Sequence, residues 1–185
     1  MSLQKISFKQ LFQLQNEKFE EYHNVLQYLE AIPIKGKNKI ESITDLTFGE
    51  VAIIKMCLQE PSYQNIIEIF KTIFGLEENQ IHKIDVVKFY HSLNWIKEEV
   101  QNVYDREVQS LSSPPDSKLK DAGIDDLNIF GEMNTLIALG EKFGKAPQEI
   151  ENWNYEIVFS LILHQKISSD INKRYIELNK PVNNE

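Results

Sequence analysis

Cysteine is almost missing from this chain. Cys57 is the only one in 185 residues, which excludes an internal disulfide framework. A lone cysteine suits a reducing compartment and is expected as a small core side chain. Cations are in the minority, 20 Lys and Arg against 28 Asp and Glu, for a formal net charge of −8. A surface of that sign repels a polyanion, so nucleic acid is excluded as the main ligand. The one basic cluster, Lys35, Lys37 and Lys39, has no interleaved aromatics and reads as a solvated loop. Long apolar runs are lacking as well. Stretches such as "VF" and "LIL" around Ser160 fall far short of the ~20 residues of a membrane span. The opening "MSLQKISFKQ" holds no apolar core of signal-peptide length, so the chain is expected in the cytoplasm at synthesis.

What is present fits a globular protein. Hydrophobic residues make up 42% and charged residues 26%, a balance that supports a packed core. A single domain of this size buries roughly 70% of its unfolded surface and needs no metal or disulfide to fold. Apolar residues recur at spacings of three and four throughout, and sustained alternation is absent. The fold class is therefore all-α, a compact domain of about six helices, expected near 8–31, 48–59, 62–74, 86–111, 125–143 and 155–178.

Local signals mark the ends. Ser7 with Gln10 and Thr47 with Glu50 have capping-box spacing, and Asp85 can cap the long fourth helix. Pro33 and Pro61 interrupt, Gly75 suits a helix C-terminus, and Gly123 ends a short turn. The Pro-Pro pair in "SSPPDS" lacks two backbone donors and favours extended geometry. It divides an N-terminal helical part, 1–111, from a C-terminal part, 118–185, through a linker at 112–117, the two parts expected to pack as one unit.

Motifs that carry chemistry are scarce. "LGEKFGKAPQ" holds a Gly-Lys pair, but three residues separate Gly140 from Gly144 where a phosphate loop has four. Lys145 is followed by Ala146 and not by a hydroxyl, and the segment before it is helical, so the pair reads as helix punctuation. His23, His82, His91 and His164 have no metal-ligand spacing with one another or with Cys57. Adjacent acidic pairs such as Glu98-Glu99 and Asp125-Asp126 diverge on a helix and read as solvated faces. No catalytic residue, cofactor or metal is expected. The aromatics point instead to protein contacts. Phe19, Tyr22, Trp95, Trp153 and Tyr155 are expected at a partner interface, with Trp153 in polar surroundings as the best anchor.

The second half, "AGIDDLNIFGEMNTLIALGEKFGKAPQEIENWNYEIVFSLILHQKISSDINKRY", resembles small helical proteins from the structural gene clusters of tailed bacteriophages, closest to those of phages infecting Bacteroidetes. The elements are a glycine-punctuated helix at "FGEMNTLIALG", a turn with "W-x-Y-x-x-V-F" and a terminal "RY", within about residues 122–175. The resemblance implies a non-enzymatic virion component. It would be a neck or tail ring or connector subunit, or a tail-assembly chaperone, found in the host cytoplasm and then in the neck or tail if structural. Its partners would be other subunits, including copies of itself in a ring. Two other classes compete with that reading. One is a cellular helical adaptor binding a partner helix, and the other an enzyme using helix-borne acidic or histidine residues.

Overall fold

Helices begin where a side chain takes up the orphan backbone donors of a first turn, and the computed structural model shows this repeatedly over the residues it describes, 5–113 and 117–179. Ser7 and Gln10 form the capping box of α1 (Phe8–Leu11), and Thr47 and Glu50 that of α3 (Phe48–Gln59). Ser62 caps α4 (Tyr63–Phe74), with Pro61 just ahead of the cap, and Gly75 closes it in the left-handed conformation. The Asp85 carboxylate accepts from the Val87 amide at 3.0 Å at the start of α6 (Val86–Leu111). The remaining α-helices are α2 (Asn16–Leu26), α5 (Glu78–Ile81), α7 (Ser117–Asp121), α8 (Met133–Phe143), α9 (Pro147–Glu151) and α10 (Tyr155–Leu178). Short 3-10 segments lie at Ile43–Asp45 and Ile124–Phe130.

The protein is all-α, with no strand among the described residues beyond isolated bridge pairing such as Ser7 with Asp85. The expected number of about six helices is too low. Seven elements run seven residues or more, and several one-turn helices stand between them. Two expected helices are broken. The run at 8–31 divides into α1 and α2, and the break lets Phe12 and Phe19 meet, their ring centroids lying 5.8 Å apart. Seven residues of unbroken helix would separate them by about 10 Å along the axis. The run at 125–143 is interrupted at Gly131, whose φ of 48° and ψ of −128° leave the helical region.

The chain divides into two compact units, Met1–Asp105 and Arg106–Glu185, and α6 contributes to both. The linker expected at 112–117 lies in part outside the described residues, at 114–116.

In unit 1, α3 and α4 pack on each other, and Ile54, Ile67, Phe70 and Ile73 are fully buried between them and their neighbours. Phe8 is also fully buried, its ring 4.9 Å from Phe12 and from Phe89 and 5.3 Å from Tyr63. The irregular segment after α2 needs partners for its backbone, and successive residues of α6 supply them. Asn94 donates to the carbonyls of Gln27 and Leu29, and His91 bonds the Glu30 carbonyl. The buried Ser92 hydroxyl accepts from the Ile34 amide at 3.0 Å. Further along α6, Glu99 accepts from the Ser42 hydroxyl and the Ile43 amide.

Unit 2 is held by fewer buried side chains. Leu136, Leu139, Ile150, Tyr155, Val158 and Phe159 form its core. Arg106 and Glu156 pair through two bonds of 2.5 and 2.7 Å, and the guanidinium stands 4.0 Å over the Phe159 ring. α8 and α9 meet closely at Gly140, where an added Cβ would lie 2.7 Å from the Lys145 carbonyl oxygen.

Candidate functional site

Phe12 from the end of α1, with Phe19 and His23 from α2, forms one wall of an apolar cleft of about 450 Å³ in unit 1. Leu58, Pro61 and Ile66 line the side of α3 and α4, while Tyr90, Leu93 and Lys97 project from α6. The Phe19 ring lies parallel to His23 at 6.2 Å, and His23 Nδ1 is 3.2 Å from the Tyr90 hydroxyl. Burial pushes the Tyr90 phenol up to about 12, above the ordinary tyrosine value. The cleft therefore presents an apolar, aromatic surface with a phenol, an imidazole and, at Lys97, a cation.

The raised Tyr90 value has a measurable consequence. Unfolded tyrosine titrates near 10, so the folded value lies higher, and this stabilisation is complete below about pH 10. It is lost as the pH rises through about 12. Tyr155 shifts in the same direction, through burial first and the Glu107 charge second. Alkaline titration followed by circular dichroism is expected to show stability falling above about pH 10. Tyr90→Phe should make that loss shallower, and an identical curve for the variant would contradict the assignment.

The five residues expected at a partner surface are dispersed. Phe19 is half-buried on the cleft wall, whereas Tyr22 on the same helix is 9% exposed and packs inward. Trp95 is half-buried on α6, its ring 6.1 Å from Phe74. In unit 2, Trp153 is half-buried with its ring edge-on to Phe143 at 5.6 Å, and Phe143 itself is 42% exposed. Tyr155 is 1% exposed and gives its hydroxyl proton to Glu107 at 2.9 Å, so it offers a partner no surface.

Sequence reasoning missed the extent of apolar surface on unit 2. Among the described residues from Val108 to Leu178, fifteen large hydrophobics are exposed, against six buried. On α10 they follow the spacing four, four, three through Ile167, Ile171, Tyr175 and Leu178, and all four are about half exposed or more. The helical stripe was readable, but its lack of cover was not.

Several of the polar features singled out in the sequence are engaged within the fold. His82 bonds the Tyr63 hydroxyl at 2.6 Å and lies 3.4 Å from Glu78, and His91 bonds a carbonyl. Among the described residues no group of three or more His, Cys, Asp or Glu is placed to hold a metal ion. Gly144 ends α8 with a φ of 63°, and the Lys145 amide donates to the Gly140 carbonyl. Lys145 Nζ pairs with Glu149 at 3.0 Å, and Pro147 occupies the first turn of α9. That stretch is a helix C-cap followed by a helix start, as its residues imply. Among the described residues no helix is long and apolar enough to cross a membrane.

The fold and these surfaces define an all-α protein with extensive exposed apolar surface among the described residues. No family model matches the chain, and no curated protein or solved structure matches it.

Proposed function

We propose that this chain is a non-enzymatic structural or assembly component of a tailed bacteriophage virion, either a neck or tail ring or connector subunit or a tail-assembly chaperone. The observation that carries the reading is the unburied apolar surface of unit 2, fifteen exposed large hydrophobics around a core of six. Contiguous apolar patches beyond a few hundred Å² are rare on monomers and mark contact surfaces. A subunit acquires the missing cover from its neighbours, and a chaperone from the client it holds. The phage context rests on the resemblance of the second half of the chain.

Mass spectrometry of purified virions tests this reading. A structural subunit remains in the particle, whereas a chaperone is found only in infected cells, bound to a virion protein. Absence from both compartments would defeat the proposal. At residue level, Trp153→Ala is expected to weaken subunit association by about 2 kcal/mol, as for an aromatic anchor at an interface. Its helical circular dichroism should be retained, because the ring is only half-buried against Phe143. Unfolding of the isolated chain with no separate binding defect would place Trp153 in the core instead.

A second reading is supported by the aromatic cleft of unit 1. An apolar groove edged by Phe12, Phe19 and Lys97 suits the apolar face of a partner helix, as in a cellular adaptor. Phe19→Ala separates the two readings. It should impair an adaptor's binding and leave incorporation into virions unchanged.

A further inference from the structure

A second cleft of unit 1, about 650 Å³, opens where the loop at 32–35 meets α5 and the start of α6. Ile32, Ile34, Leu76 and Ile84 give it an apolar floor. Ile32 remains 44% exposed, so the cleft is shallow and suits a protein segment better than an enclosed small molecule. Lys35, Lys83 and Lys88 stand around this floor with exposed side chains, and His91 lies one helical turn from Lys88. None of the three lysines has a carboxylate within 4.0 Å among the described residues. Asp85 also lines the cleft, where its carboxylate caps α6. Three lysines against one aspartate leave the rim of the cleft positive, in a chain whose net charge is −8.

Unit 2 carries a surface of the opposite kind. The 3-10 segment Ile124–Phe130 exposes Ile124, Leu127, Ile129 and Phe130 at 41%, 47%, 82% and 50%. Asp125 and Asp126 stand among them, and from Asp121 to Glu132 the chain has four carboxylates and no Lys or Arg. Asp121, Asp125 and Asp126 have no cation within 4.0 Å among the described residues. The segment is shaped as well as charged. Left-handed Gly123 precedes it, Gly131 ends it, and Asn134 donates to the Leu127 carbonyl at 2.7 Å.

We propose that the acidic, apolar segment Ile124–Phe130 of one copy docks in the basic, apolar cleft of a second copy. The inference rests on the assembly reading and supplies the partner for it. Apolar side chains meet an apolar floor, while aspartates meet lysines at the rim, where opposite charges set register and speed encounter. Cleft and segment are different surfaces of one chain, so the contact is heterologous. Each copy receives one neighbour and offers itself to another, and repetition closes a ring or continues as a filament.

Light scattering and sedimentation of the full chain, between about 1 and about 100 µM, test the contact. Wild-type protein is expected to associate with rising concentration, and more weakly at high salt, because exposed charges are screened. The cleft variant Lys83→Glu/Lys88→Glu and the segment variant Asp125→Lys/Asp126→Lys should each associate at least about tenfold more weakly, for loss of charged pairs at an interface. All four positions are exposed, so circular dichroism should remain unchanged. Mixing the two variants gives the sharpest result. The intact segment of the first should fill the intact cleft of the second, and the reversed cleft of the first should accept the reversed segment of the second, so the mixture should regain the growth that neither variant shows alone. Combining all four reversals in one chain should restore growth. Three outcomes would overturn the docking: a wild-type chain that stays monomeric, association unchanged in both variants, or a mixture that associates no better than either variant alone. The last two leave the assembly reading standing, which virion composition decides separately.

Discussion

Replacing Phe8 with alanine is expected to destabilise unit 1 by about 3–5 kcal/mol, the range for a large aromatic removed from a core. Phe8 is fully buried on a helix of only four residues, which has little intrinsic stability of its own. Its ring joins three others, Phe12, Tyr63 and Phe89, at 4.9 to 5.3 Å, and such aromatic pairs each add roughly 0.5–1.5 kcal/mol beyond their buried area. The backbone shares the position: the Phe8 amide donates to the Ile84 carbonyl at 2.8 Å, tying α1 to the entry of α6. Truncation therefore leaves a cavity among rings and loosens the anchor of the N-terminal helix. Urea unfolding followed by circular dichroism gives the value, with Phe8→Leu as the milder comparison. A loss below about 1 kcal/mol for the alanine variant would mean that the site collapses and that α1 is dispensable.

Tyr155→Ala should cost unit 2 a similar amount, about 3–5 kcal/mol, again as a buried aromatic truncated to a methyl. The consequence is greater there because the core of unit 2 is small. Tyr155 is one of six buried large hydrophobics, lies 6.1 Å from the Phe159 ring, and binds Glu107 through its hydroxyl. Tyr155→Phe keeps the ring and removes one hydrogen bond to a carboxylate, a loss of about 1.5–3 kcal/mol for a charged acceptor. The pair of variants therefore separates packing from hydrogen bonding in unfolding measurements. It also tests the assignment of Tyr155 to the core. Stability left intact by Tyr155→Ala, with association alone impaired, would return the residue to a partner surface.

Most of the helix positions were legible because their ends are local chemistry. Thr47 with Glu50 starts α3, Asp85 starts α6, Gly75 ends α4, and Gly144 with Pro147 separates α8 from α9, each through groups within a few residues. The expected spans 48–59, 86–111 and 155–178 coincide with α3, α6 and α10. The misread spans are those where an apolar stripe continues across a local break in the helix. The chain leaves the helix between α1 and α2, where Phe12 packs on Phe19, and the stretch before Gly131 winds as a 3-10 segment.

The candidate surfaces were far less legible. Periodicity in "YEIVFSLILHQKISSDINKRYIEL" revealed an apolar stripe, but a stripe has the same spacing whether another helix covers it or solvent does. Val158 and Ile171 illustrate this, since both lie on α10, yet one is fully buried and the other 51% exposed. Lys35 read as part of a solvated loop because Lys83 and Lys88 are about fifty residues away in the chain. Folding set all three around one apolar floor through the hydrogen bonds that Ser92, His91 and Asn94 make to the segment before it. The sequence by itself determined an acidic, all-helical chain and where most of its helices begin and end, since caps and proline act over a few residues. Which apolar faces stay uncovered, and which charges share a cleft, only the tertiary structure decided, because both depend on neighbours remote along the chain.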